Sequence, residues 1–283
     1  MMNSQIHLTD EQFSLNNTAG SHLLIRLSDS SYSYAIVDKD QNRPGVLVEK
    51  NLGTHAESMS IAEKMEIILA DNGYLKGDFR KVRISVETKA FTFIPEELYA
   101  SADLPQYGKF IGSQPDSAVL SSGIRPYGIT TVCAIDEDLT VNLKSLFNDP
   151  LIVSQANPFI AGIHKLVIAG NPEGLFLNFN RDNFEAAIIR NGTLEFYNIF
   201  DITNADEFNY FLLNLISQLT LDRSTAVSVG GKIEKEDQHF LRVAKYFHKI
   251  LFLNVELMEK APDLFKQVPP HRFFSLLSLD LCE

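Results

Sequence analysis

The 283-residue chain contains no tryptophan and only two cysteines. No apolar run in it approaches the ~18 to 20 residues that span a bilayer, so a membrane span is not expected. Cys133 and Cys282 are far apart and have no CxxC or Cys/His companions, which excludes a disulfide framework and a zinc motif and leaves two buried or idle thiols. Seven histidines occur without an HxH or HxxxH spacing, so no metal centre is expected. The GxSxG elbow is missing too, and neither Ser122-Gly123 nor Ser228 has the context of a hydrolase nucleophile. Basic residues are outnumbered by acidic ones, 25 to 36, and are scattered, which argues against nucleic acid as a partner. The N-terminus lacks the charged-then-apolar layout of a signal peptide, and the expected location is the cytoplasm.

What is present is an ordinary globular composition, 45% hydrophobic with twenty phenylalanines, long enough for two domains or one duplicated unit. After a polar lead-in over residues 1–19, HLLIRLSDSSYSYAIVD reads as two strands around a Ser/Asp turn, and GVLVEKNL as a third. Ser58 or Ser60 can cap the helix SIAEKMEIILADNG, with Ile61, Met65, Ile68 and Leu69 on one face and a stop at Asn72-Gly73. Strand KVRISVE follows, then FTFIPEELYA, where Pro95 is placed to open a helix. A looser stretch, 101–124, reads as an insertion. Strand GITTVCAID, helix EDLTVNLKSLF, strand PLIVSQ and helix NPFIAGIHKLVIAG complete a first domain over 20–171, closed by the Gly170-Asn171-Pro172 break.

The same order restarts over 172–283. GLFLNFN, NFEAAIIRN and GTLEFYNIF are strands, with Asn191-Gly192 turning between the last two. The helix ADEFNYFLLNLISQLT, strand TAVSVGG, helix KEDQHFLRVAKYF, strand ILFLNVELM and a terminal helix, PPHRFFSLLSLD, follow. LIRLSDSSYSYAIV from Leu24 lies without gaps over FLNFNRDNFEAAII from Phe176, pairing Tyr32 with Phe184, Ala35 with Ala187 and Ile36 with Ile188. The two hairpins are therefore expected to be copies. Tyr32 and Tyr34 share one strand face and are expected to pack, whereas His239 and His248 are placed on helix surfaces and ends.

Two tandem β-β-β-α-β-α-β-α units, the first with an insertion, resemble the actin, heat-shock chaperone and sugar-kinase superfamily of duplicated ribonuclease-H-like domains. The short insertion and the run from Thr130 to Gly170 are most similar to bacterial pilus-assembly and division actin homologues. The segment ETKAFTFIPEELY, from Glu87, is similar to a bacterial family of uncharacterised proteins with an actin-like ATPase fold. The resemblance implies an α/β fold of two mixed five-stranded sheets with flanking helices and an inter-domain cleft. It also implies ATP with Mg²⁺ as the cofactor to test, held by two Asp-x-Gly hairpins and one hydrophobic-Gly-Gly turn; no cofactor is certain.

Val229-Gly230-Gly231 matches the third of these elements, and Gly230 and Gly231 are candidate nucleotide contacts. The alternative is a tight strand-to-helix connection kept from a nucleotide-binding ancestor. Lys232 beside it either meets a phosphate or is a solvated charge. The hairpins do not match: Arg26-Leu27-Ser28 and Asn178-Phe179-Asn180 stand where Asp-x-Gly should be. Aspartate there organises Mg²⁺, and glycine lets backbone N–H groups close on phosphate. Asp29 with Ser30, and Asp182, are the displaced candidates, although Asp-Ser-Ser is also ordinary hairpin chemistry.

Three readings follow: an actin-like protein that binds nucleotide weakly or not at all and works through a protein partner; an ATPase or small-molecule kinase using Asp29 or Asp182; and a ligand-free interaction module. A ribonuclease-H-like nuclease is disfavoured because its first-strand carboxylate is replaced by Arg26 or Asn178.

Overall fold

The structure, a computed structural model, describes residues 5–11, 13, 15–53, 59, 61–70, 73–266 and 268–283. Ser58, Ser60 and Asn72, expected to cap or end the first helix, lie outside the described residues. The chain divides into two compact units. One comprises Met1–Ala161, Glu256–Gln267 and Leu276–Glu283, the other Gly162–Val255 and Val268–Ser275.

In the first unit the strands are β1 (Ile6–Thr9), β2 (Ser21–Leu27), β3 (Ser31–Asp38), β4 (Arg43–Asn51) and β5 (Lys81–Val86), with helix α1 (Ile61–Ala70) before β5. Then come β6 (Phe91–Pro95), α2 (Leu104–Phe110), β7 (Ser117–Ile124), β8 (Ile129–Asp136), α3 (Glu137–Leu146), β9 (Leu151–Ser154) and α4 (Ala156–Ile168), within which the unit boundary falls. The second unit holds β10 (Gly174–Phe179), β11 (Asn183–Arg190), β12 (Thr193–Asp201), α5 (Ala205–Gln218), β13 (Ala226–Gly231), α6 (Gln238–Tyr246) and β14 (Lys249–Phe252). The short α7 (Glu256–Glu259) belongs to the first unit, and α8 (Phe274–Ser278) begins in the second.

The two main sheets share one plan. Strand order is β4-β3-β2-β5-β9 in the first and β12-β11-β10-β13-β14 in the second, with two antiparallel pairings followed by two parallel ones. The gapless alignment of the hairpins is reproduced residue by residue: Leu24 faces Ala35 as Phe176 faces Ala187, and Leu27 faces Tyr32 as Phe179 faces Phe184. Even the register shift recurs, between Ile36 and Val37 and between Ile188 and Ile189. A bulge costs ladder bonds and re-aims a strand, so its retention at aligned positions marks a shared device.

Three expectations are corrected. The first main sheet has six strands, because β1 within the lead-in pairs antiparallel with β4. FTFIP is strand β6, and the helix expected to open at Pro95 is a single 3-10 turn, Glu96–Leu98; Pro95 ends the strand opposite Ile129, where a missing N–H costs little. GITTVCAID, as β8, is the centre of a separate three-stranded sheet, β6-β8-β7, so the insertion begins earlier than residue 101.

Apolar side chains build a core in each unit. Leu23, Ile25, Tyr34, Ile36, Val46 and Ile84 are buried in the first, and Tyr32 joins them as expected. The second is phenylalanine-rich, with Phe184 stacked 5.1 Å from Phe200 and edge-on at 5.0 Å to Phe208. His239 lies in the first turn of α6, at a helix end as expected, and is half-buried, its ring 5.6 Å from Phe179 and 5.4 Å from Phe208. Asn191 and Gly192 both have positive φ, 51° and 73°, the two-residue turn their sequence demands. Both thiols are buried, and burial pushes each pKa up to about 12, so they are protonated and inert.

Burial holds the pKa values of His22, His239 and His271 below the ordinary 6.5. For His22 it outweighs the opposite effect of the nearby Asp280 carboxylate. Between the folded values and 6.5 the unfolded chain binds more protons than the folded one, so stability is complete above the unfolded pKa and is lost as pH falls towards the folded ones. The melting temperature should therefore be lower at about pH 5.5 than at about pH 7.5, before carboxylates titrate. A melting temperature constant over that interval would contradict this account.

Candidate functional site

Each Asp-x-Gly position is occupied by a side chain that the protein uses internally. In the first unit Arg26 Nη2 lies 3.8 Å from Glu87 Oε2. Ser28 Oγ donates to the Ser31 carbonyl at 3.1 Å, lies 2.8 Å from Ser31 Oγ, and accepts from the Ser31 amide at 3.1 Å. In the second unit Asn178, 1% exposed, donates to Glu185 Oε2 at 2.7 Å, and the fully buried Glu185 also accepts from the Tyr197 hydroxyl at 2.8 Å. Asn178 and Glu185 face each other across β10 and β11, so this is a polar pair built into the sheet. Asn180 Nδ2 donates to Asn183 Oδ1 at 2.6 Å, closing the turn as Ser28 and Ser31 do in the other copy.

The displaced candidates sit in the same turns. Asp29 and Asp182 are exposed. Asp182 Oδ1 is 3.8 Å from Arg181 Nε, and its carbonyl accepts from the Ile202 amide. Ser30 has the equivalent task, its carbonyl accepting from the Leu52 amide at 2.8 Å. Both residues thus tie a hairpin turn to the strand beyond it.

Gly230 and Gly231 end β13, opposite Asn178 and Phe179 of β10. A Cβ on Gly231 would land on the Phe179 carbonyl oxygen and come within 2.8 Å of its backbone carbon and nitrogen, and Gly231 has φ +77°. A Cβ on Gly230 would meet Leu253 Cδ1 at 2.7 Å. The amides beyond are committed as well: Lys232 donates to Phe179 O at 2.7 Å, Ile233 to Gly231 O at 3.0 Å, and Glu234 to Asp237 Oδ2 at 2.7 Å. Gly231 and Lys232 line a polar cavity of about 220 Å³ together with Glu234, Asp237 and Arg272; neither Gly230 nor Asp182 does. The positive φ of Gly231 and the packing of Leu253 against Gly230 give both glycines a structural use, and the residues at the hairpins do not fit Mg-ATP in the manner of Asp-x-Gly.

A larger cavity, about 530 Å³, opens in the first unit where β2, β5 and β8 end. Ligand sites in open α/β sheets favour the carboxyl ends of strands. Its floor is apolar, with Leu27, Met65, Ile68, Val86, Ile135 and Leu139. Its polar lining carries the carboxylates Asp29, Glu87, Asp116 and Asp136 against one lysine, Lys64. Asp136 caps α3, its Oδ1 accepting from the Leu139 amide at 2.9 Å. Asp29 is the one sequence candidate brought here, and Ser30 does not line the cavity. Sequence reasoning missed the rest because the lining comes from separate segments; the usable signal was the convergence of strand ends. Among the described residues no group of three or more His, Cys, Asp or Glu can hold a metal ion.

The solved structures show the fold. A protein of Bacteroides thetaiotaomicron with an actin-like ATPase fold and unknown function is similar at a TM-score of 0.76, with 18% identity over 88% of this chain and 98% of that one. PilM, from a PilM–PilN type IV pilus biogenesis complex, is similar at 0.60, with 13% identity over 92% and 97% of the two chains. No curated protein matches. The model of the family described as "Protein of unknown function (DUF3822)" matches residues 10–250, and the chain belongs to that family.

Proposed function

We propose that this is an actin-like protein that does not turn over nucleotide and works through a protein partner, with the cytoplasm as its place of action. The observation that carries the reading is the internal use of all four hairpin side chains, Arg26, Ser28, Asn178 and Asn180, where the superfamily would present carboxylate and bare backbone. Arg26 and Asn178 leave no carboxylate at the positions where the superfamily's aspartates organise Mg²⁺, and Ser28 and Asn180 put side chains where bare backbone would close on phosphate oxygens. A partner is supported by analogy: the same fold in PilM is found in a complex with PilN.

The test is thermal melting with and without millimolar Mg-ATP, followed by phosphate release. A ligand specific for the folded state stabilises by about 2.7 kcal/mol at about 100 times its Kd, so binding would be read easily. The expected result is no phosphate release and little or no shift. Release that disappears in Asp29→Asn or Asp182→Asn would replace this reading with an ATP-dependent enzyme.

A further inference from the structure

We propose that the large cavity of the first unit holds a short basic and apolar segment of the partner. The proposal rests on the reading that the protein works through a partner, and it names that partner's chemistry. An apolar floor of the kind formed by Met65, Ile68 and Ile135 gains by covering hydrocarbon, and the cavity of about 530 Å³ has room for side chains rather than a single water or ion.

The charge around that floor selects the sign of the ligand. Glu87 faces Arg26 and Asp136 caps a helix, so each already has work. Asp29 and Asp116 are exposed, and their carboxylates have no hydrogen bond or ion pair with another described residue. Lining carboxylates outnumber lysine four to one among the described residues, so a phosphate or acidic peptide meets repulsion and a lysine or arginine side chain meets attraction. Apolar side chains of the segment cover the floor while its basic side chains face Asp29 and Asp116.

The full chain is titrated by calorimetry with a short synthetic peptide alternating leucine and arginine, with its leucine–glutamate counterpart, and with agmatine as a free guanidinium. The arginine peptide should bind one-to-one, more weakly as salt is raised, and about tenfold or more tighter than the glutamate peptide. The double variant Asp29→Lys/Asp116→Lys should bind it about tenfold or more weakly, because like charges then face each other. Glu97→Lys/Glu236→Lys, exposed residues outside the cavity lining, makes the same change in net charge and should leave binding unaltered.

Equal binding of the two peptides, no binding, binding undiminished in the cavity variant, or equal weakening in both variants would overturn the proposal. Agmatine binding as tightly as the peptide would overturn it in favour of a small-amine site. The melting and phosphate-release assay separates the two failures. Turnover of ATP ends the partner reading whatever the peptides do, whereas inert ATP with undiscriminated peptides ends only the cavity assignment.

Discussion

Replacing Gly231 with alanine is expected to destabilise the second unit by about 4 kcal/mol, against about 1 kcal/mol for a typical substitution. Two costs add. The left-handed backbone at φ +77° is unfavourable by roughly 1–2 kcal/mol for a residue with a Cβ. The new methyl also lands on the Phe179 carbonyl, which is itself fixed because it accepts the Lys232 amide and pairs in the β10–β13 ladder. Backbone cannot rotate away as a side chain can, so relief requires loss of register at the end of two strands. Gly230→Ala is the control: its Cβ meets the end of the Leu253 side chain, and repacking should limit the loss to about 1–2 kcal/mol. Urea unfolding of both variants checks the difference. If Gly231→Ala were as stable as the parent, the glycine would be released from its structural duty and a ligand would again be needed to explain it.

The contrast between these glycines shows where sequence reading reached its limit. Hydrophobic-Gly-Gly was legible as a turn in the right slot of a duplicated fold, yet a glycine required by a ligand and one required by a neighbouring carbonyl leave the same letter. In the first unit the β5 residues facing Arg26 and Leu27 are Ser85 and Val86, so the strand pairing itself does not need glycine. It is the positive φ of Gly231 that does. The duplication was legible because the paired strands are near-continuous apolar runs, buried on both faces, that align without a gap, and Leu24 over Phe176 carried both hairpins and their bulges with it. β1 was missed because four residues alternating only partly buried and exposed positions give too short a period to read. β6 was missed because Pro95 signals a helix start and a strand end equally well. The large cavity was illegible for a different reason: the turn holding Asp29, the α1 face holding Met65 and the segment holding Asp116 meet only through long-range pairing.

Loss of the Asp280 carboxylate is the second large expected effect. Its two oxygens serve three groups within the first unit: Oδ1 lies 2.6 Å from His22 Nδ1 and accepts from Arg83 Nη1 at 3.2 Å, while Oδ2 accepts from Lys39 Nζ at 2.8 Å. Arg83 is buried and also donates from Nε to the Cys282 carbonyl at 2.7 Å, so it ties the segment around Asp280 to β5. Asp280→Ala strands a buried guanidinium without its anion, and breaking a buried pair from one side typically costs about 3–5 kcal/mol. Most of that is the penalty of the orphaned charge rather than the worth of the pair. Arg83→Met in the same chain should therefore recover much of the loss, and a double-mutant cycle should give a coupling of about 2 kcal/mol or more. Nuclear magnetic resonance titration supplies an independent readout: the Asp280 carboxylate raises the His22 pKa, so its removal should move that titration further below 6.5. Additive single and double variants with an unmoved His22 would mean that Lys39 and solvent, not Arg83 and His22, are what the carboxylate serves.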